Sequence, residues 1–160
     1  MANAAAPSLA WLKDPGHCLA LGFGSGLAPR APGTFGSVVG VLLHLGLAPL
    51  DWPAQLASLA LLFLIGIPLC ARTARALQVH DHPAIVWDEV VAMALVLVLA
   101  DGSAASLAAG FALFRLFDIG KPWPIRWFDR HVHGGLGVML DDLVAAVFAA
   151  ALLALLQQFT

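Results

Sequence analysis

The feature that most constrains this chain is a regular alternation of long uncharged apolar stretches with polar separators. The apolar stretches cover residues 37–50, 54–71, 90–100, 103–114 and 143–159. A bilayer-spanning helix needs about 20 apolar residues, a length that only the second and fifth stretches approach. Because an apolar segment in lipid must satisfy its backbone hydrogen bonds internally, the pattern predicts helices. We therefore expect an all-α, compact helical bundle, an integral membrane protein with about three to five membrane helices.

The polar separators differ in length and in charge. Long separators and short turns alternate along the chain, at about 13–36, 51–53, 72–89, 101–102 and 115–142. All eight basic residues fall in the three long separators, whereas the two short turns carry only Asp51 and Asp101. Basic residues favour the cytoplasmic side of a membrane. All three long separators are therefore expected on the cytoplasmic side, where they form one polar surface.

The composition narrows the class of protein. Hydrophobic residues make up 61% of the 160 residues and charged residues only 11%, which is unlike an ordinary soluble domain. A formal net charge of −2, without a basic run interleaved with aromatics, excludes nucleic-acid binding. Cys18 and Cys70 lie far apart and predict neither a zinc site nor a disulfide framework. We expect a single domain over 1–160, with 1–12 as a mobile N-terminal lead that lacks a basic signal region.

The first long separator contains a glycine-rich run that opens into an apolar helix, GFGSGLAPRAPGTFGS. Backbone N–H groups at such a helix start attract phosphate, so Ser25 and Thr34 are candidate substrate phosphate-binding residues. No Lys-Ser/Thr pair follows the glycines, and a nucleotide-binding P-loop is therefore not predicted. The alternative is a connector in which Thr34 or Ser37 caps the helix.

Acidic residues gather at the starts of two predicted helices. The run HDHPAIVWDEVV places Asp88 and Glu89 at one start, and HGGLGVMLDD places Asp141 and Asp142 at the start of the last helix. Such acids are costly, and usually functional, when they face the interior of a membrane bundle. The simpler alternatives are an N-cap for Asp88 and a helix-dipole interaction for Glu89. Hard oxygen ligands without cysteine favour Mg²⁺, so all four acids are candidate metal ligands.

Basic residues lie close to these acids in the third long separator. The run FRLFDIGKPWPIRWFD places Arg115, Asp118 and Lys121 three apart, on one face near the end of a helix. An intrahelical salt-bridge ladder is the simpler interpretation. The apolar surroundings favour instead a substrate phosphate clamp formed by Arg115, Lys121 and Arg126. A metal together with a cationic clamp is typical of phosphoryl chemistry.

A resemblance to a known family follows from four strings, which occur in the order GFGSGLAPRAPGTFGS, HDHPAIVWDE, FRLFDIGKPWPIRWFDRHVHGG and GVMLDD. From about Leu21 to the last helix, the chain resembles the bacterial phosphatidylglycerophosphatase A family. The resemblance implies an all-helical, Mg²⁺-dependent enzyme of the inner membrane that hydrolyses phosphatidylglycerophosphate to phosphatidylglycerol and inorganic phosphate. It also carries over the positions that match the family's polar motifs: Asp88, Glu89, Asp118, Lys121, Asp141 and Asp142.

Two routes are open for the expected reaction. In one, water attacks the phosphate directly, and His133 or His131 protonates the departing glycerol oxygen. In the other, Asp118 or Asp142 forms a covalent aspartyl-phosphate. The candidate catalytic residues are accordingly Asp142, Asp118 and His133.

The expected partners are the lipid substrate and the membrane, with the site on the cytoplasmic face of the bacterial inner membrane. The oligomeric state is left open. A membrane lipid phosphotransferase is an alternative function, although its aspartates would repeat along one segment. A small ion-coupled carrier is another, although these acids lie at helix ends and no inverted repeat is visible. A non-catalytic scaffold is the third, although it would not need the cluster of acids and cations.

Overall fold

The computed structural model describes residues 7–79 and 82–159, and within these ranges the secondary structure is helical, without a strand. The α-helices are, in chain order, α1 (Pro15–Ala20), α2 (Pro32–Leu47), α3 (Trp52–Leu77), α4 (Trp87–Leu97), α5 (Ala104–Gly120), α6 (Ile125–His131) and α7 (Gly134–Leu156). Two 3-10 helices, Leu9–Lys13 and Gly22–Leu27, flank α1. The predicted all-α fold is confirmed over these ranges.

The described part of the N-terminal segment packs against the bundle. In the expected lead over 1–12, Trp11 belongs to the first 3-10 helix and packs on His17, with ring centroids 4.7 Å apart. His17 Nδ1 lies 2.9 Å from the hydroxyl of Thr73 in α3. Residues 1–6 lie outside the described ranges. The described part of the lead is therefore held by contacts with α1.

The last helix begins earlier than the sequence predicts. The sequence predicts Asp141 and Asp142 at the start of the last helix, but α7 begins at Gly134, which has a φ of 76°. Asp141 and Asp142 consequently lie about two turns inside α7 rather than at its start. Both side chains are buried, with 7% and 4% of their surface exposed. The two acids therefore face the interior of the bundle.

Close contact between α3 and α7 depends on small residues. A Cβ atom on Gly135 would overlap the backbone carbonyl of Ile67 in α3. A Cβ atom on Gly66 would come within 2.7 Å of Trp87 and 2.8 Å of Met139. Glycine at these two positions lets the helix backbones approach each other, as in many membrane bundles.

The centre of the bundle is the short helix α4. Nine of its eleven residues are buried, and α2, α3, α5 and α7 all pack against it. The core divides around α4 into one cluster toward α3 and another toward α5. Because α4 is surrounded in this way, the two acids in its first turn lie where several helices meet.

Two of the described helices, α3 and α7, are long and apolar enough to cross a membrane. In an apolar 18-residue stretch of each helix, 17% of the residues of α3 are buried inside the protein, against 50% of the residues of α7. A core helix of a soluble domain would be mostly buried, and α3 instead exposes Leu61, Leu64 and Ile65. The predicted three to five membrane helices exceed these two candidates because α2, α4 and α5 have 16, 11 and 17 residues.

Candidate metal and phosphate site

Most of the charged residues predicted for the site line one cavity of about 250 Å³. Its walls come from the start of α2, the start of α4, the end of α5 and the first half of α7. The charged lining residues are Asp88, Glu89, Arg115, Asp118, Lys121, Asp141 and Asp142. With every acid ionised, five acids and two cations give this lining a formal charge of −3. In that fully ionised state the cavity attracts cations and repels anions.

Three carboxylates form a compact cluster within this cavity. One oxygen each from Asp88, Glu89 and Asp142 lie within 4.8 Å of one another. Oδ1 of Asp88 and Oε2 of Glu89 are buried and have no hydrogen-bond partner among the residues that the structure describes. A buried carboxylate oxygen without a partner is costly unless a cation satisfies it. Three hard oxygen donors with two unsatisfied atoms fit a divalent cation of the Mg²⁺ type.

Burial of the cluster also changes its protonation. Burial raises the pKa of Glu89 to about 7. Burial, together with the neighbouring Glu89 carboxylate, raises the pKa of Asp88 well above its usual range. Protons and divalent cations therefore compete for the same carboxylate oxygens.

The start of α2 is shaped to receive Glu89. A Cβ atom on Gly33 would overlap the Glu89 carboxylate and would lie 3.2 Å from Nη1 of Arg115. The residue before the helix, Ala31, takes a left-handed conformation, and no side chain caps the helix. Neither Thr34 nor Ser37 therefore provides the cap considered from the sequence. The glycine-rich segment contributes close backbone approach to the cavity instead.

Arg115 and Asp118 form an ion pair in the cavity wall. Nη1 of Arg115 lies 2.5 Å from Oδ2 of Asp118, and the two side chains are 15% and 12% exposed. Nη1 of Arg115 also donates to the hydroxyl of Ser37 at 3.4 Å, and that hydroxyl donates to the carbonyl of Gly33 at 2.9 Å. The i,i+3 salt bridge considered from the sequence is thus present, and its members line the cavity.

Lys121 is positioned differently from the prediction. It follows the last residue of α5 in a left-handed conformation, with φ 40° and ψ 57°, so it does not continue the helical face of Arg115. Its Nζ donates to Oδ1 of Asp129 and to Oδ2 of Asp141, each at 2.6 Å. Although partial burial opposes it, these two hydrogen bonds raise the pKa of Lys121.

The two ion pairs of Lys121, with Asp129 and with Asp141, change the interpretation of these two acids. Asp141 was predicted as a metal ligand, but its Oδ2 binds the ammonium of Lys121. Asp129 was not considered from the sequence, because a single acid between an aromatic and a basic residue shows no periodic signal. Its proximity to Lys121 depends on the turn between α5 and α6.

Four predicted site residues are not among those that line the cavity. Ser25 lies in the second 3-10 helix, beside Gly22, and its hydroxyl is buried. Thr34 is in the first turn of α2, Arg126 is exposed on α6, and His133 is exposed immediately before α7. The structure therefore brings together the acids, Arg115 and Lys121, but not these four side chains.

The fold and the site define an apolar helical protein with a buried carboxylate cluster that is compatible with a metal ion. The chain belongs to the phosphatidylglycerophosphatase A family, whose model matches residues 18–157. It is a phosphatase of phospholipid metabolism by this membership, which confirms both the resemblance and the enzyme class expected from the sequence.

Individual relatives agree with this assignment. The chain is 48% identical to phosphatidylglycerophosphatase A of Escherichia coli over 145 residues, which are 89% of this chain and 83% of the relative. It is also 48% identical to the protein of that name in Haemophilus influenzae, over 86% of each chain. A putative phosphatidylinositol-3-phosphatase of Bacteroides thetaiotaomicron is 34% identical over 83% of this chain and 87% of the relative. No solved structure matches the chain.

Proposed function

We propose that this protein hydrolyses the terminal phosphate of phosphatidylglycerophosphate with the help of Mg²⁺, and releases phosphatidylglycerol and inorganic phosphate. The two relatives at 48% identity carry the name of this activity. The observation that carries the proposal is the convergence of Asp88, Glu89 and Asp142 beside Arg115 and Lys121 in one cavity. Metal-assisted hydrolysis of a phosphate monoester uses both kinds of group, carboxylates to hold the metal and cations to bind the phosphate.

The metal ligands in this proposal are Asp88, Glu89 and Asp142. A bound Mg²⁺ supplies Lewis-acid polarisation of the phosphate and activation of the attacking water. Asp141, the fourth predicted ligand, instead holds Lys121 at the rim of the cavity. Neutralisation of the carboxylates by a divalent cation also removes the negative charge that would repel the substrate phosphate.

Arg115 and Lys121 bind the phosphate in this proposal. An ammonium group has three N–H donors, and the two bonds from Lys121 to Asp129 and Asp141 leave a third for a phosphate oxygen. Nε of Arg115 is buried and unpartnered within the described part of the chain. Ser25, Thr34 and Arg126 were also predicted to bind phosphate, and this role stays a prediction because they lie outside the lining.

Of the five acids that line the cavity, Asp118 is the one that neither belongs to the three-carboxylate cluster nor binds Lys121. We propose that Asp118, oriented by Arg115, accepts the proton of the attacking water while the bond between phosphorus and the glycerol oxygen breaks. The competing route makes Asp118 or Asp142 the nucleophile. Single-turnover trapping separates the two, because an acid-labile phosphoenzyme excludes direct water attack. Proton donation by His133 to the leaving oxygen also stays a prediction.

We further propose that the bundle lies in the bacterial inner membrane with the cavity toward the cytoplasm. The exposed apolar face of α3 and the length of α3 and α7 support the membrane. The concentration of basic residues in the long separators supports the cytoplasmic orientation. α3 and α7 would be the spanning helices, and α2 and α5 the shorter candidates that would complete the predicted three to five.

The decisive experiment measures phosphate release from phosphatidylglycerophosphate by the purified protein. We expect EDTA to abolish release and Mg²⁺ to restore it. Phosphatidylinositol 3-phosphate is the informative comparison substrate, since one relative carries the name of that activity. Preference for that lipid would redirect the substrate assignment, and no release from either lipid with any divalent cation would contradict the proposed function.

A further inference from the structure

The segment around α6 presents an aromatic and basic surface next to the cavity. Trp123 is 82% exposed and Trp127 is 47% exposed. Trp127 stacks on His131, with ring centroids 4.8 Å apart and an angle of 19° between the planes. Arg126 and Arg130 are also exposed, and their spacing of four residues places them on one face of α6. We call these five residues the α6 surface.

The position of α6 along the chain places this surface at one end of a candidate membrane helix. α6 ends at His131 and α7 begins at Gly134. The 23 residues of α7 extend about 34 Å at 1.5 Å per residue, close to the ~30 Å hydrocarbon core of a bilayer. If α7 crosses the membrane as proposed, α6 lies at the boundary between lipid and water.

The charge of the α6 surface is positive. The only acid in the segment from Trp123 to His131 is Asp129, and its carboxylate is bound to Lys121 at 2.6 Å. The two arginines are therefore not balanced by Asp129. The same ion pair connects α6 to the rim of the cavity, so the position of α6 affects the position of a residue that lines the site.

We propose that the α6 surface binds the anionic phospholipid headgroups of the surrounding bilayer. Tryptophan prefers the membrane interface, where Trp123 and Trp127 would lie at headgroup depth. Arg126 and Arg130 would contact lipid phosphates, because basic side chains near an anionic membrane surface are attracted to it.

This inference rests on the proposed function for its placement at a membrane, and it assigns a partner to a surface outside the cavity. Its consequence is geometric. Attachment of α6 to the headgroups would keep the cavity rim, through Asp129 and Lys121, at the depth where a lipid carries its phosphate.

A first experiment tests contact with lipid without any measurement of activity. The full chain is reconstituted into phosphatidylcholine vesicles with and without phosphatidylserine. Fluorescence quenching is compared between the wild type and a Trp123→Phe/Trp127→Phe variant, so that the difference reports on these two residues. We expect lipids brominated near the headgroup to quench both, and phosphatidylserine to shield them from acrylamide. Full access to acrylamide in both vesicles would overturn the proposal even if the protein is an active phosphatase.

A second experiment tests the consequence for substrate capture. Trp123→Ala/Trp127→Ala and Arg130→Gln should raise the KM for phosphatidylglycerophosphate in phosphatidylserine-containing vesicles, by roughly fivefold for the arginine. Neither should change the rate with a water-soluble short-chain analogue of the substrate. The matched control is Trp52→Ala, because Trp52 is 58% exposed at the start of α3 and does not line the cavity. Equal losses on both substrates, or the same KM change in the control, would overturn the proposal and point to a general structural effect.

Discussion

Among the described helices, α3 and α7 are the two that are long and apolar enough to cross a bilayer, and they differ in how much of their surface the rest of the protein covers. α3 has 26 residues and carries no acid, and most residues of its apolar 18-residue stretch are not buried by the rest of the protein. α7 has 23 residues, and half of its apolar 18-residue stretch is buried. It carries Asp141 and Asp142, whose side chains lie in the interior of the bundle. Acids are tolerated on a membrane-length helix where other helices cover them. Burial by neighbouring helices, rather than hydropathy, therefore distinguishes the helix of the site from the helix that faces outward.

The largest effect should come from removal of the acid that α7 contributes to the metal cluster. Asp142→Asn is expected to lower phosphatase activity by about a hundredfold or more, because changes to groups around a metal ligand already cost about 10–100-fold and Asp142 is itself a ligand in the proposed site. The matched control is Asp51→Asn at the start of α3, where Asp51 accepts a hydrogen bond from the amide of Ala54. Asparagine also caps helices, so this control should keep its activity. Full activity of Asp142→Asn would remove the distinction between α3 and α7.

The next effect concerns the partner of Asp142 on α4. Gly33→Ala would displace the Glu89 carboxylate from its place beside Asp142 and should lower activity roughly tenfold or more, as loss of support around a metal site does. Gly46→Ala is the control on the same helix, because a Cβ atom there meets nothing within 4 Å. Phosphate-release rates at saturating Mg²⁺ measure the difference. Equal rates for the two variants would mean that the position of Glu89 is not important for catalysis.

A smaller effect, on stability, tests whether α3 is anchored to α7. Gly135→Ala places a methyl group against the backbone carbonyl of Ile67 and should cost about 1–3 kcal/mol of unfolding free energy. Leu64→Ala, on the outward face of α3 where Leu64 is 62% exposed, should change it by no more than about 0.5 kcal/mol. Thermal unfolding in a mild detergent compares them. If Leu64→Ala lowered the unfolding free energy as much as Gly135→Ala, the Leu64 face of α3 would not be the outward face of the bundle.

The smallest effect is a dependence on pH. Burial raises the pKa of Glu89 from 4.5 to about 7, so between these values the folded state binds more protons than the unfolded state. The metal-free protein should therefore lose stability as pH rises through this window, and Mg²⁺ should restore it at the upper end, where the carboxylate is ionised. Thermal unfolding with EDTA or Mg²⁺ on either side of the window measures both changes. A stability that rises with pH in EDTA would contradict the raised pKa of the buried Glu89 carboxyl.

Several residues of the candidate site could be identified from the sequence because they are concentrated in short runs. Asp88, Glu89, Asp118 and Asp142 were all identified from acids beside apolar stretches, and all line the cavity. Arg115 was identified from its i,i+3 spacing to Asp118, a local relation that a helix preserves. The i,i+3 relation of Arg115 and Asp118 agrees with the structure, whereas the same spacing failed for Lys121, which lies beyond the end of α5.

Other features of the cavity depend on turns and on contacts between distant segments. The left-handed conformation of Lys121 takes this residue off the helical face of Arg115 and turns it toward Asp129 and Asp141. Glycine richness predicted a phosphate cradle at Ser25 and Thr34, which stays a prediction, and Gly33 in the same run leaves room for the Glu89 carboxylate. No periodicity in the sequence reports such distances, because they are set by turns and by helix packing.

The sequence by itself determined that this chain is helical, strongly apolar and a member of a phosphatase family, because hydropathy and motif spacing are local properties. The tertiary structure decided which acids meet. In the folded protein, α4 is surrounded by four helices, and α7 packs against it. Asp142, about two turns from the start of α7, therefore lies beside Asp88 and Glu89, whereas Asp141 binds Lys121. Neighbouring residues on a helix point about 100° apart. The side chains of Asp141 and Asp142 therefore point toward different neighbours, and which neighbours these are depends on how the surrounding helices pack.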